Sequence, residues 1–474
     1  MPAKHCDLAG IFYRMPESEM RKYMTHNIAC CYLTHNHPDV VKRVLGKVLN
    51  SYDENGIDIY MYDSSTSNDT KEYIDKLIAE GAKNLFYVPV DAGIGGDGKM
   101  LQVLKGYGLQ KEYDYIWPNK DRSYVIGDSA QKIQQESRRH YDCMMIDIWV
   151  PVASDHREYK QVYEKEEFFK EFGWLTASWE MMLISTDLLL HTIQWDDFEK
   201  KYHLGKNQNF NQPLTVFGGL ALKAHPQIRV LGYEEVILRN DMSVSSGWIS
   251  ATFPLWGDNW PNAINSLPEC YDPYKASVIK DQGRHINVFG SVDNLIYLAR
   301  RQLLTPEVWE KYKDRWNTLS DIPPIYVELV LAQNYGTIIQ MAFDDFNTSL
   351  QNQEYDKAYY ILWGAYCIIN IIGDTYYWML RTCMNVYLKE ASARKRDAGI
   401  MTGVKNYQDL IYKYQKLKFY IRRLEYDITI PEEELKAFLK NNHISSQFVE
   451  VVIGLECINQ SKVREDWRKK MYEG

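Results

Sequence analysis

The stretch YDYIWPNKDRSYV, residues 113–125, reads as a buried strand that ends in chemistry. Tyr115, Ile116 and Trp117 form an apolar, β-favouring run. Pro118 closes it, and Asn119, Lys120 and Asp121 follow. An amide, a cation and a carboxylate gathered at the end of a buried strand call for partners, because each is costly to desolvate alone.

Reading outward from this strand reveals a repeating order. NIACCYL (27–33) is a short apolar run that leads into Thr34, His35, Asn36, His37 and Pro38. Pro38 suits the first position of a helix, and DVVKRVLGKVL (39–49) carries apolar residues at helical spacing. IDIYMYD (57–63) is a second strand, SSTSNDT (64–70) has helix-start chemistry, and KEYIDKLIAEG (71–81) is a helix closed by Gly81. KNLFYVPV (83–90) is a third strand, DAGIGGDG (91–98) a glycine-rich loop, and KMLQVLKGYGL (99–109) a helix that returns to the opening strand. Strands alternating with helices at this pitch predict a parallel sheet. Open parallel sheets take ligands beyond the carboxyl ends of their strands. The positions of interest are therefore Thr34-His35-Asn36, Asp63-Ser64-Ser65, Asp91-Ala92-Gly93 and Asn119-Lys120-Asp121, all expected along one rim.

Composition narrows the class. The 474 residues, 45% of them hydrophobic, suffice for two or three domains with a large core. The formal charge of −8 supplies no basic field, so nucleic acid is not an expected partner. Cys6, Cys30, Cys31, Cys143, Cys270, Cys367, Cys383 and Cys457 form no CxxC pair and mostly sit in apolar runs. They read as free thiols of a cytoplasmic protein. The opening MPAKHCDLAGIFYR has no apolar signal core. The most apolar stretch, AYYILWGAYCIINIIG (358–373), is shorter than the ~20 residues a membrane span needs and reads as a buried helix. Peripheral membrane contact is the most this composition allows.

Beyond residue 127 a helix and a strand are expected over 128–151, and a charged helix bearing Tyr and Phe over 160–172. GWLTASWEMMLISTDLL (173–189) reads as loop, strand and helix, and the Trp-, Asn- and Pro-rich chain to about residue 285 as irregular. From 287 onward glycine thins and helical periodicity dominates, over 306–316, 325–345, 355–372, 376–391, 407–426 and 431–441. The basic run KEASARKRDAGI (389–400) reads as a solvated helix end or loop. The expected architecture is an α/β domain over 1–286 and an all-α domain over 287–474.

Several rim residues support two readings. Asp63 can accept from a nucleobase imide, or cap a turn in a segment rich in capping residues. DAGIGGDGK (91–99) is neither GxxxxGK[ST] nor GxGxxG, yet its four glycines allow close backbone approach to a ligand, with Lys99 facing a diphosphate; it also reads as a plain strand–helix connection. Asp121, with Asn119 as a neutral oxygen donor, can hold Mg²⁺ or Mn²⁺ whose shell is completed by phosphates, while Lys120 or Arg122 neutralises phosphate charge. The same residues also suit an exposed polar turn. Trp248, Trp256 and Trp260, in GWISATFPLWGDNWP (247–261), suit either sugar stacking at an acceptor site or interface packing.

Taken together, CYLTHNHPDVVKRVLGKVL, IYMYDSSTSNDT, VPVDAGIGGDGKM and YDYIWPNKD resemble, in order and spacing, the opening segments of glycosyltransferase family 2, the nucleotide-sugar transferases of GT-A fold. The likeness covers residues 26–125 and extends weakly to 240. It implies a Rossmann-like, mostly parallel mixed sheet with the added helical domain holding the acceptor, a partner or a second copy of the chain. It further implies that Thr34, His35 and Asn36 line the nucleotide, Asp63 contacts the base, Gly93 and Lys99 approach the diphosphate or donor sugar, and Asn119, Lys120 and Asp121 stand at the metal motif. The donor would be a UDP-sugar, the cofactor Mn²⁺ or Mg²⁺, and the acceptor a glycan or glycoprotein hydroxyl, with inversion at the anomeric carbon. The departures are His35 for Tyr, Ser64 for the second Asp and Asn119 for the first metal acid; the last implies a weakened or absent ion. Glu180 in TASWEMML is the expected general base, with Asp147 the other candidate. A non-catalytic partner that keeps the fold, and a sugar nucleotidyltransferase, are the competing readings.

Overall fold

The computed structural model describes residues 26–372 apart from 107, 110–112, 148–158, 206–207, 242, 244–248 and 286–287, together with 388, 409, 412–413, 415–424, 431–444 and 449. The opening strands are β1 (Ile28–Thr34), β2 (Ile57–Asp63), β3 (Leu85–Pro89) and β4 (Tyr115–Lys120). Helices α1 (Pro38–Glu54), α2 (Asp69–Ala79) and α3 (Gly96–Leu104) connect them. β1 and β2 are buried along their whole length, as central parallel strands covered on both faces must be. Pro38 does open α1, whose Val40, Val41, Val44, Leu45, Val48 and Tyr52 are buried at helical spacing. Each such side chain contributes about 1.5–3 kcal/mol on burial, which holds α1 to the sheet.

The chain continues through β5 (Ser123–Ile126), α4 (Ser129–Ser137), β6 (Cys143–Ile146), α5 (Lys165–Phe172), β7 (Met182–Ser185), α6 (Trp195–Tyr202), α7 (Asn211–Leu220), β8 (Ile228–Leu231) and β9 (Ile237–Asn240). Seven strands make one sheet in the order β3-β2-β1-β4-β7-β6-β8, and β5 pairs with β9 in a small second sheet. β1 to β4 run parallel, β7 runs antiparallel to both β4 and β6, and β6 is parallel to β8. This is the α/β architecture with a mostly parallel mixed sheet that the sequence predicts.

The register positions the site. Thr34 stands opposite Asp63 across β1 and β2, while Leu33 stands opposite Lys120 across β1 and β4. Pairing alone therefore brings three carboxyl ends, from distant parts of the chain, side by side.

Some expectations need correction. The Trp- and Pro-rich chain before residue 285 is helical, not irregular: a π-helix over Phe253–Asn259 and helices over Trp260–Asn265 and Asp272–His285. Pro254 sits in the first turn, where the missing N–H would have no intrahelical partner anyway, while Pro261 follows directly on the π-helix inside one continuous helical run. The helix expected over 160–172 begins only at Lys165. The one expected over 325–345 is two, Pro324–Leu331 and Tyr335–Gln351. Gln333 takes a left-handed φ of 55° between them, and Asn334 caps the second through its side chain.

Two compact units divide the chain. The first comprises Met1–Val150, Arg157–Ser291 and Glu307–Pro323, the second Pro151–His156, Val292–Pro306 and Pro324–Gly474. In the second, the described elements are helices: Val292–Arg300, Pro324–Leu331, Tyr335–Gln351, Tyr355–Ile372 and Glu432–Asn441. The expected helix over 376–391, the basic run over 389–400 and most of 407–426 fall largely outside the described residues. Among those described, no helix is long and apolar enough to cross a membrane.

Candidate functional site

The site begins where β1, β2 and β4 end. Lys99, from the first turns of α3, reaches across to the strand ends. Its Nζ donates to the Thr34 carbonyl oxygen at 2.6 Å and to Ser64 Oγ at 2.8 Å. The Thr34 hydroxyl donates to Asp121 Oδ2 at 3.0 Å, and His37 Nδ1 lies 2.9 Å from the same oxygen. Asp63 accepts from the Ser65 N–H at 2.8 Å and from the Tyr87 hydroxyl at 3.1 Å. Thr34, Lys99 and Asp121 thus form one hydrogen-bonded floor, and Asp63, opposite Thr34 across β1 and β2, stands beside it with partners of its own.

The charges of the floor respond to one another. Burial pushes the Lys99 amine down to about 8, against the opposing pull of the Asp121 and Asp63 carboxylates. The hydrogen bond to Asp121 raises His37 above the ordinary imidazole value, with partial burial and the Arg122 and Lys99 charges working the other way. Lys120 Nζ stands 3.0 Å and 2.9 Å from the two oxygens of Glu180, which is almost fully buried.

Above the floor opens a cavity of about 700 Å³. His35, His37, Ser64, Lys99, Lys120, Asp121 and Arg122 line its charged side. The glycine loop contributes Gly93, Gly95, Gly96 and Asp97, and the facing wall is aromatic, with Trp179, Phe210 and Trp256 beside Leu255. Gly96 has a steric reason: a Cβ there would lie 2.5 Å from the Trp179 ring. Phe210 adopts a left-handed φ of 62°, unusual for a bulky residue, and its ring packs 5.1 Å from Trp256 and 5.0 Å from Trp260. Asp97 supports this backbone by accepting the Phe210 N–H at 2.9 Å. Burial raises the Asp97 carboxyl to about 6, although the Phe210 and Asn211 amides oppose the shift.

The π-helix carrying Trp256 is fastened from behind. Asp258 accepts from the Tyr312 hydroxyl at 2.7 Å and pairs with Lys311 and Arg315, and Gly257 leaves room for the Tyr312 ring. Single π turns inside helices frequently mark functional sites.

The residues singled out in the sequence separate into groups. His35, Gly93, Lys99, Lys120 and Asp121 line the cavity. Thr34, Asn36 and Asp63 do not line it: Thr34 lies in the floor network, Asp63 holds the turn at Ser65, and Asn36 braces the adjoining loop by accepting the Thr66 N–H at 2.9 Å. Asn119 departs from its expected place at the metal motif. Its side chain is fully buried and donates to Cys30 Sγ at 3.3 Å, because the strand pleat directs it into the sheet. Asp147 follows β6 and accepts from the Tyr159 hydroxyl at 3.0 Å, outside the cavity lining. Glu180 does not line the cavity either; it stands behind Lys120. Trp256 lines the wall, Trp260 is core, and Trp248 lies outside the described residues.

Sequence reasoning missed His37, Asp97, Trp179 and Phe210. Asp97 stands inside the glycine loop already noted, and a carboxylate in a loop of that kind was a usable signal. No sequence signal marks the left-handed turn at Phe210.

Among the described residues, no group of three or more His, Cys, Asp or Glu side chains could hold a metal alone. Asp121 and His37, side by side on the cavity surface, are a two-donor set of the kind that substrate phosphates complete.

No family model matches the sequence, and no curated protein matches it. Among solved structures, the S. aureus TarS fragment 1–349 is similar at 12% identity, over 73% of this chain and 92% of that one, with a TM-score of 0.39. A mannosyltransferase from Pyrobaculum calidifontis, PcManGT, solved with GDP-Man and Mn²⁺, is similar at 10% identity, over 66% and 88%, with a TM-score of 0.36. The chain spans 54% of the longer S. aureus TarS structure, at 14% identity and a TM-score of 0.36 over 56% of its own length.

Proposed function

We propose that the chain transfers a sugar from a nucleotide-sugar donor, a UDP-sugar in the first instance, to a hydroxyl of a glycan or glycoprotein acceptor. One observation carries the reading: the ends of β1, β2 and β4 and the start of α3 meet beneath an aromatic-walled cavity, where Thr34 joins the cavity-lining Lys99 and Asp121 and Asp63 stands opposite Thr34. A polar, charged floor suits a nucleotide diphosphate, and flat aromatic faces suit sugar rings.

In this reading Asp63 and His35 stand at the nucleotide, and Lys120 and Arg122 face the diphosphate. Lys99 ties β1 to β2 so that the floor keeps its shape. Glu180 orients Lys120. Asp97 replaces Glu180 as the general base, because it lines the cavity and its raised pKa of about 6 suits proton transfer near neutrality. The acceptor oxygen bonds to the anomeric carbon as the bond from that carbon to the diphosphate oxygen breaks. The acceptor proton passes to Asp97, and configuration inverts. Asp121 would hold a divalent ion, which when bound neutralises charge on the departing diphosphate. The helical unit takes the acceptor or a partner.

A thermal-shift screen with UDP, GDP, CDP, ADP and dTDP tests the reading, followed by the matching sugar donors. Stabilisation rises with the logarithm of ligand excess, so a true site reports itself as a concentration-dependent midpoint. A folded chain that no nucleoside diphosphate stabilises refutes the proposal.

A further inference from the structure

The Asn-x-Asp pattern at the end of β4 suggests that residues 119 and 121 act together. The structure separates them, since Asp121 lines the cavity whereas Asn119 is fully buried beside Cys30 and does not. A different residue takes the place beside Asp121. His37 ends the turn after β1, its ring lines the cavity, and its Nδ1 lies 2.9 Å from Asp121 Oδ2. Two donors at adjacent corners of an octahedral ion with bonds of about 2.1 Å stand about 3 Å apart. The two atoms share a hydrogen bond, and loss of the Nδ1 proton leaves them at the separation that two neighbouring ligands of one ion need.

Charge on the floor supplies a reason for an ion. Lys120 is held against Glu180, and Lys99 lies within the fields of Asp121 and Asp63. Both lysines already face carboxylates when the donor arrives. A doubly charged diphosphate then meets Arg122 and a Lys120 already paired with Glu180, which together fall short of balancing it. Imidazole and carboxylate together suit Mn²⁺, and phosphate oxygens supply the remaining ligands.

We infer that His37 and Asp121 form a divalent-metal half-site, with His37 taking the role the sequence offers to Asn119, and that the donor diphosphate completes it. The inference rests on the glycosyl-transfer reading and adds the identity of the second protein ligand. It concerns binding and involves no bond-making step.

The test uses the full chain and whichever of UDP, GDP, CDP, ADP and dTDP stabilises it most. Binding is followed by titration calorimetry in MnCl₂ and in EDTA, and bound Mn²⁺ by loss of the free-ion paramagnetic resonance signal. The expected result is tighter nucleotide binding in Mn²⁺, by about tenfold or more, together with uptake of Mn²⁺ only when nucleotide is present. His37→Ala should lose that gain. His37→Gln can still hydrogen-bond Asp121 but is a poor ligand, so it should lose the gain as well; if it restores it, His37 is a structural support and the inference falls. Equal binding in EDTA and Mn²⁺ overturns the inference and leaves the functional reading standing. Binding of no nucleotide under either condition, by a chain whose circular dichroism shows it folded, overturns both.

Discussion

Lys99 Nζ donates to the carbonyl oxygen of Thr34 at 2.6 Å, although 65 positions separate the two residues. One ammonium thereby joins α3 to the end of β1 and, through Ser64, to the end of β2. Hydrogen bonds from a charged donor to buried acceptors are among the stronger ones in proteins. This link fixes the spacing of the floor.

Replacing Lys99 with Met should cost about 3 kcal/mol, because the Thr34 carbonyl loses its charged donor and the Asp121 and Asp63 carboxylates lose a buried cation. Urea unfolding measures it. The pH dependence provides a second signature. The folded amine titrates near 8, below its ordinary value of 10.5, so between those values the unfolded chain binds more protons. Wild-type stability should gain from Lys99 as pH rises through that window, and Lys99→Met should lack the gain. A variant whose pH curve matches the wild type's would contradict this account.

Gly96→Ala tests the aromatic wall. The new methyl would stand 2.5 Å from Trp179, so the indole must move. Stability should drop by about 1–3 kcal/mol, the usual range for overpacking. Tryptophan emission should shift, and sugar transfer should fall more than nucleotide binding does. Unchanged transfer would mean that Trp179 is not part of the working site.

Asp97→Asn separates support from chemistry, since the amide oxygen can still accept the Phe210 N–H. The folded carboxyl titrates near 6, above its ordinary 3.8, so between these values the folded state binds the extra proton. The wild type therefore loses stability from Asp97 as pH rises from 4 to 6. The variant should gain on it by about 1–2 kcal/mol over that span and hold a constant difference above pH 7. His35, His37, Lys99, Lys120, Asp121 and Arg122 also line the cavity, and they are present in both proteins. Transfer should fall by about 10²–10⁴-fold with nucleotide affinity retained. Full activity in the variant would return the base to Glu180.

Lys120 and Glu180 should behave as a unit. Lys120→Met alone strands a buried carboxylate, and Glu180→Gln alone frees the ammonium. A double-mutant cycle should give a coupling of about 1–3 kcal/mol in unfolding free energy. A coupling near zero would show that the pair contributes orientation only in the ligand-bound state.

Local patterning was enough to reveal β1 to β4, α1 to α3 and the rim of their carboxyl ends, because alternating short apolar runs and amphipathic helices carry their own periodicity. Lys99 and Asp121 were legible for the same reason: each sits where a predicted element starts or stops. The assignment of Asn119 could not succeed at that level. Which face a strand-end side chain takes depends on pleat and on the neighbouring strand, and here Cys30 receives it. His37 at Asp121, Asp97 beneath Phe210 and Trp179 on Gly96 are likewise contacts between segments far apart in the chain. They follow from packing, which joins residues by distance in space, whereas periodicity reports only on neighbours along the backbone.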